Sequence, residues 1–198
     1  MNEHKNIEKL LIKTGAYMQG HFLLTSGLHS PHYYEKFRFL ENPTYNEEIS
    51  SALAGLFSDK EVDVVAGAAI GGILLAYEVA RYFNARCIFA ERVDGDLKFR
   101  RGFHVAPDEN VLLVEDIVTT GGSVLELLRL VRQTEGSVQG VGVVVDRSNG
   151  AFDPDLDWHA LYTAKVENYD PDECPLCRKG VPLTLRGRSG KTKSSGSQ

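Results

Sequence analysis

Cysteine is scarce in this chain, with three residues (Cys87, Cys174 and Cys177) among 198. An odd, low count excludes a disulfide scaffold and points to a reducing compartment, the cytoplasm. Positive charge is in the minority, 22 Lys and Arg against 27 Asp and Glu, for a net charge of −5. The chain as a whole is therefore no electrostatic match for nucleic acid, and any anion site must be local. No apolar run approaches the length of a membrane span. The charged start "MNEHKNIEKLL" lacks the apolar centre and small-residue cleavage site of a secretory leader, so neither a membrane nor export is expected. Two common phosphate fingerprints are also missing: there is no GxxxxGK(S/T) and no GxGxxG. No internal repeat or clear domain boundary interrupts the chain. Its 42% hydrophobic and 25% charged residues suit one sizeable core.

Strands and helices alternate along the chain. Ile7, Leu10 and Leu11 share a helical face that Gly15 can end. Residues 16–42 are aromatic and turn-rich. Thr44 and Glu47 have the form of a capping box ahead of Ile49, Leu53 and Leu56. "VDVVAGAAIGG" predicts a buried strand ending in small residues, "ILLAYEVARYF" a helix and "RCIFAE" a strand. After a long polar, turn-rich stretch, "VLLVE" predicts a strand, "GGSVLELLRLVRQTEG" a helix and "VQGVGVVVD" a strand; "HALYTAKV" can add one more. This order predicts an α/β fold with a parallel sheet covered on both faces. Residues 1–181 are expected to form a single domain, and the polar, basic tail over 182–198 to be disordered.

The stretch "VLLVEDIVTTGGSVLELL" carries the strongest chemical signal. In a parallel sheet, ligands bind beyond the carboxyl ends of the strands, where Glu115 to Ser123 is expected to fall. Gly121 and Gly122 let the backbone turn without Cβ atoms in a ligand's way. The unpaired N–H groups of the following helix, with its dipole, attract a phosphate. Thr119, Thr120 and Ser123 can add hydroxyl donors. Glu115 and Asp116 accept hydrogen bonds, so they suit sugar hydroxyls or a hydrated cation. A ligand with a phosphate a few ångströms from a ribose diol would satisfy both halves. The bland alternative is a solvated acidic turn, and the ordered succession of strand, acid pair, T-T-G-G-S and helix weighs against it.

That succession resembles the 5-phosphoribosyl 1-diphosphate (PRPP) signature of the type I phosphoribosyltransferases. Three further stretches resemble the orotate phosphoribosyltransferase family in particular: "GHFLLTSGLHSPHYYEK", "VVAGAAIGGILLAYEVA" and "VVVDRSNG". The resemblance spans most of residues 15–150 in family order. It implies a type I phosphoribosyltransferase-like parallel sheet flanked by helices, with a small N-terminal hood from about residues 1–42. It also implies transfer of phosphoribose from PRPP to orotate, giving orotidine 5′-monophosphate and pyrophosphate in pyrimidine (UMP) biosynthesis. Mg²⁺ would be the cofactor, held mainly through PRPP, and the chain a homodimer with a shared active-site loop. Carried over by position, Glu115, Asp116, Ile117, Val118, Thr119, Thr120, Gly121, Gly122 and Ser123 would bind PRPP. Glu115 and Asp116 would meet the ribose, and Asp116 would belong to the catalytic set. Thr119, Arg147, Tyr33 and Tyr34 would contact orotate, the guanidinium suiting its carboxylate and carbonyl oxygens.

The chain departs from the family pattern where cations are expected around pyrophosphate. Thr25 stands where a lysine often precedes the "SG", Gly71 where another often stands, and Glu91-Arg92 where the strand often ends Arg-Lys. Arg92, Lys98, Arg100 and Arg101 are the candidates to replace them: Arg92, Lys98 and Arg100 as catalytic residues, and Arg92, Lys98 and Arg101 as PRPP contacts. Residues 93–105 are read as a lid in preference to a solvated basic hairpin, since loops this long are usually functional or disordered. Cys174-Pro-Leu-Cys177 is a single CxxC. It is read as a plain pair of thiols, with an intersubunit zinc site as the lesser reading and His159 and Cys87 as its conceivable partners. His21, His29 and His32 are read as turn or surface residues or contacts to the base. A purine phosphoribosyltransferase and a non-catalytic PRPP- or nucleotide-sensing regulator are the alternatives on this fold.

Overall fold

The computed structural model describes residues 3–185, with side chains from Asn6 onward, so most of the tail expected to be disordered lies outside the described residues. Helix α1 (Glu3–Lys13) is followed by strands β1 (Tyr17–Leu23) and β2 (His29–Tyr34), then by α2 (Phe37–Leu40) and α3 (Pro43–Gly55). Next come β3 (Val64–Ala68), α4 (Gly71–Phe83), β4 (Arg86–Val93), β5 (Asp96–Phe99) and β6 (Asn110–Val118). The chain continues through α5 (Gly122–Arg132), β7 (Ser137–Asp146), β8 (Trp158–Thr163), α6 (Pro175–Arg178) and β9 (Thr184–Leu185).

Two compact units divide these elements. One takes residues up to 16 and 35–166; the other takes 17–34 and the chain from 167 onward. In the larger unit six strands form a sheet of order β5-β4-β3-β6-β7-β8, parallel throughout except for the edge strand β5. β3 is buried along its whole length, as its apolar and small residues require. Val64, Val65, Leu112, Leu113, Val141 and Val143 lose essentially all solvent contact, and Leu75, Val79, Leu127 and Val131 close the sheet from α4 and α5.

Local chemistry explains the element ends. Gly15, at φ +74°, ends α1 as expected. α3 is capped differently from the Thr44–Glu47 expectation. Pro43 occupies its first turn, which moves the cap back to Asn42, whose side chain accepts from the N–H groups of Thr44 (3.0 Å) and Tyr45 (3.4 Å). Residues 93–99 also differ from a structureless lid. Asp94 and Gly95 both take positive φ and turn β4 directly into β5, with Val93 opposite Asp96 and Ala90 opposite Phe99. An Asp-Gly pair between alternating strands is a hairpin signal that the polar composition of the stretch obscured.

The smaller unit carries a three-stranded sheet of order β2-β1-β9. β1 and β2 pair antiparallel, and β9 adds two residues parallel to β1, Phe22 opposite Thr184 and Leu23 opposite Leu185.

Candidate active site

The sheet of the larger unit reverses its strand order between β3 and β6. From β3 the chain crosses to β4 on one side, and from β6 to β7 on the other. The crevice beyond the carboxyl ends of two such strands is where open α/β sheets bind ligands. Here it is a cleft of about 650 Å³, lined by every residue from Glu115 to Val124 together with Lys36, Arg92, Gly95, Asp96, Glu126 and Arg129. The predicted phosphate loop and acid pair therefore share one cavity.

The loop is built as its composition implies. β6 ends at Val118, Thr119 and Thr120 are exposed, and Gly121 caps α5 at φ +75°. A Cβ on Gly121 would overlap the Phe152 ring, so glycine is required on two counts. Leu125 donates to the Gly121 carbonyl at 2.9 Å, which begins the helix. The N–H groups of its first turn have no partner inside the helix and present a partial positive charge to the cleft.

Beside this anion-attracting end sit two buried carboxyls, Glu115 7% and Asp116 1% exposed. Burial, reinforced by the neighbouring Asp116 charge, pushes Glu115 up to about 8. Burial also raises Asp116, against the pull of the Lys36 ammonium. Lys36 Nζ donates to Asp116 Oδ1 at 3.1 Å and lies 2.9 Å from Oδ2, the latter an electrostatic contact off hydrogen-bond geometry. Glu115 Oε2 is buried with no hydrogen-bond partner. A buried acceptor left open in this way is fit for a hydroxyl or a hydrated cation. Gly71 closes the other side: a Cβ there would overlap the Asp116 carboxylate, so the first residue of α4 must be glycine for the acid to keep its place.

Lys36 is the residue that sequence reasoning missed. It lies in one of the stretches that carry the family resemblance, but nothing in its spacing announces a partner 80 residues away. It also supplies a cation near Gly71, the position where the family's lysine is absent. Arg147 follows β7, and its N–H donates to the Val118 carbonyl at 2.8 Å, which places its backbone beside the start of the loop. Tyr33 and Tyr34 close β2 in the smaller unit.

The basic candidates separate. Arg92 lines the cleft, donates to Glu126 Oε2 at 2.9 Å, and also reaches the Gly95 carbonyl. Glu126 accepts in addition from the Leu97 N–H at 2.6 Å, and that bond, with the arginine, holds its carboxyl below the usual range. Lys98, Arg100 and Arg101 are exposed and are not among the cleft-lining residues. Arg101 pairs instead with Glu91 at 2.9 Å.

Comparison with known proteins places this architecture. The model of the phosphoribosyl transferase domain matches residues 38–171. An orotate phosphoribosyltransferase of a Thermoanaerobacter species is 48% identical over 185 residues, covering 93% of this chain and 97% of the relative. The chain belongs to the orotate phosphoribosyltransferase family. The enzyme of that name from Thermotoga maritima is 45% identical over 184 residues, 93% of this chain and 98% of its own. Among solved structures, the orotate phosphoribosyltransferase of Aeropyrum pernix superposes with a TM-score of 0.65 at 24% identity, over 79% of this chain and 93% of that one. This last likeness bears on the fold, which is the type I phosphoribosyltransferase fold expected from the sequence.

Proposed function

We propose that this chain transfers the 5-phosphoribosyl group of PRPP to a ring nitrogen of orotate, releasing pyrophosphate and forming orotidine 5′-monophosphate in pyrimidine biosynthesis. One observation carries the reading: the buried Glu115–Asp116 pair opens into the same cleft as the Thr119–Ser123 helix cap, at the switch point of the sheet. The amides and hydroxyls of Thr119 to Ser123 would take the 5′-phosphate, and Glu115 and Asp116 the ribose hydroxyls.

The base nitrogen attacks the anomeric carbon as the diphosphate leaves, and the ribose gathers positive charge in between. Such a step needs no protein nucleophile. It needs alignment, charge complementarity fixed in advance and exclusion of water. The buried acids would meet charge on the ribose, and Arg92, which lines the same cleft, would meet the leaving group. Lys98, Arg100 and Arg101, on and beyond the β4–β5 hairpin, would serve the pyrophosphate side, from a neighbouring subunit if the chain acts as a homodimer. Thr119, Arg147, Tyr33 and Tyr34 would contact orotate.

Mg²⁺ would neutralise the diphosphate as it departs. The ion would be held mainly through PRPP, in the cleft that Glu115 and Asp116 line. We further propose that residues 1–181 work as one domain and that the protein acts in the cytoplasm without nucleic acid. The free cysteines support the cytoplasmic reading and the acidic net charge the absence of nucleic acid; among the described residues no helix is long and apolar enough to cross a membrane.

Purified protein with PRPP, Mg²⁺ and orotate should bleach the near-ultraviolet absorbance of orotate, and an Asp116→Asn/Arg147→Ala variant should not. Turnover by both would keep the reaction and reject the site; turnover of adenine or hypoxanthine alone would reject the base.

A further inference from the structure

In the smaller unit, His21, His29, Cys174 and Cys177 bring one ligand atom each to within 4.8 Å of one another. His21 Nε2 lies 2.9 Å from His29 Nδ1, 3.5 Å from Cys174 Sγ and 3.8 Å from Cys177 Sγ, and Cys177 Sγ lies 3.3 Å from His29 Nδ1. Around a tetrahedral zinc ion, bond lengths of roughly 2.0–2.1 Å to nitrogen and 2.3 Å to sulfur give edges of about 3.3 Å (N to N), about 3.6 Å (N to S) and about 3.8 Å (S to S). These four separations lie within about half an ångström of those edges, and all six lie within 4.8 Å, so a small inward shift of the loosest ligand would close the tetrahedron. We propose that these four residues form a structural zinc site, distinct from the proposed Mg²⁺-dependent chemistry.

The surroundings favour a metal over a plain thiol pair. His21 Nδ1 is 2.8 Å from the Val181 carbonyl. A carbonyl only accepts, so Nδ1 carries the proton and Nε2 turns a lone pair toward the cluster. A ligating histidine is oriented in this way by its second nitrogen. His21, His29 and Cys174 are buried, contrary to the expectation of surface histidines, and neither cysteine is in a disulfide. Two thiolates with two imidazoles in a tetrahedron select zinc among the common divalent ions. The earlier candidates are placed elsewhere: His159 pairs with Asp157 on β8, and Cys87 lies in β4, both in the larger unit.

Among the described residues, the elements that hold the C-terminal segment of this unit are short. α6 has four residues and β9 two. Among the described residues, the hydrophobic side chains buried there are Phe22, Tyr34 and Cys174, few for a core of its own. Beyond them stand the paired backbone bonds between His29 and Tyr169, 2.8 Å each way, and the Ser30 hydroxyl donating to the Glu167 carbonyl at 2.8 Å. A metal clip joining residues 21 and 29 to 174 and 177 closes a long loop, and small units short of a core commonly rely on such a device.

The test uses the full-length chain, purified under reducing conditions with zinc in the growth medium, and reads bound metal by elemental analysis. One zinc per chain is expected. It should fall to background in Cys174→Ser/Cys177→Ser and persist in Cys87→Ser and in Asp116→Asn, the latter separating this site from the catalytic reading. Should the double variant not fold, wild-type protein stripped by a chelator and reloaded with Co²⁺ should show thiolate-to-cobalt charge-transfer absorption and tetrahedral ligand-field bands. Background metal in the wild type, bound iron in place of zinc, a Cys174–Cys177 disulfide, or octahedral cobalt would each overturn the proposal.

Discussion

Lys36 Nζ stands 2.9 Å from Asp116 Oδ2, joining the end of the segment after β2 to the end of β6. Asp116 is 2% exposed at its side chain and Lys36 32%, so the lysine is the solvent-side counter-ion of a buried acid. Without it the carboxylate would be left buried with its charge uncompensated, and its pKa would climb further. Lys36→Met is expected to lower kcat/KM tenfold or more, ~1.4 kcal/mol in barrier, and to move the acid limb of the pH–rate profile to higher pH. Lys36→Arg should keep the limb in place. An unmoved limb in the methionine variant would show that Asp116 does not depend on this lysine.

Glu115 carries a stability signature. Its carboxyl is pushed up to about 8 in the fold against 4.5 in the open chain. Between those values the folded protein holds a proton that the unfolded chain has released, so stability contributed at this site falls as pH rises from about 4.5 to about 8. Glu115→Gln removes that loss. Its unfolding free energy, read from urea titrations, should match wild type near pH 4.5 and exceed it increasingly toward pH 8, by a few kcal/mol at most, while PRPP binding weakens. An equal offset at both pH values would contradict the raised carboxyl.

Two glycines should be intolerant for different reasons. Gly71→Ala drives a methyl into the Asp116 carboxylate, and Gly121→Ala strains a φ of +75° while overlapping Phe152. Each is expected to cost about 100-fold or more in kcat/KM, ~2.7 kcal/mol. Gly55→Ala, in α3 with nothing within 4 Å of its new methyl, should instead stabilise by up to ~1 kcal/mol with activity intact. Activity assays and thermal melts on the three variants, run together, decide the point; full activity in Gly71→Ala would remove the close packing from the argument.

Arg92 and Arg101 make a paired comparison. Arg92 lines the cleft, whereas Arg101 sits on Glu91 and is absent from the lining. Arg92→Ala is expected to raise the KM for PRPP about tenfold, ~1.4 kcal/mol, and leave the KM for orotate within about twofold. A larger effect for Arg101→Ala, disappearing on dilution to monomer, would mean that the hairpin acts across subunits.

The site was legible in the sequence wherever it is continuous. Val111 to Leu128 declares strand, acids, loop and helix because each is set by neighbours within a few residues: apolar runs, glycines at a turn and the start of a helix. The alternation of elements likewise predicts the parallel sheet. The Asp-Gly turn after β4 is equally local, but the strand it leads into, β5, has only four residues and lies among charges. The Asn42 cap is local too, but the Thr44–Glu47 motif two residues later competes with it in the sequence, and only the placement of Pro43 in the first turn decides between them.

What only the tertiary structure decided is which distant residues meet. Lys36 reaches Asp116 because residues 35–40 and the end of β6 belong to one packed unit, and Gly71 matters because α4 begins against that acid. His21 and His29 meet Cys174 and Cys177 about 150 residues later through the pairing of β1 with β9 and of His29 with Tyr169. Local propensity carries no record of such encounters, because they arise from burial and backbone pairing between segments remote in sequence. The chain thus wrote its phosphate loop and sheet into short-range pattern, and left the counter-ion of its buried acid and its proposed metal ligands to the packing.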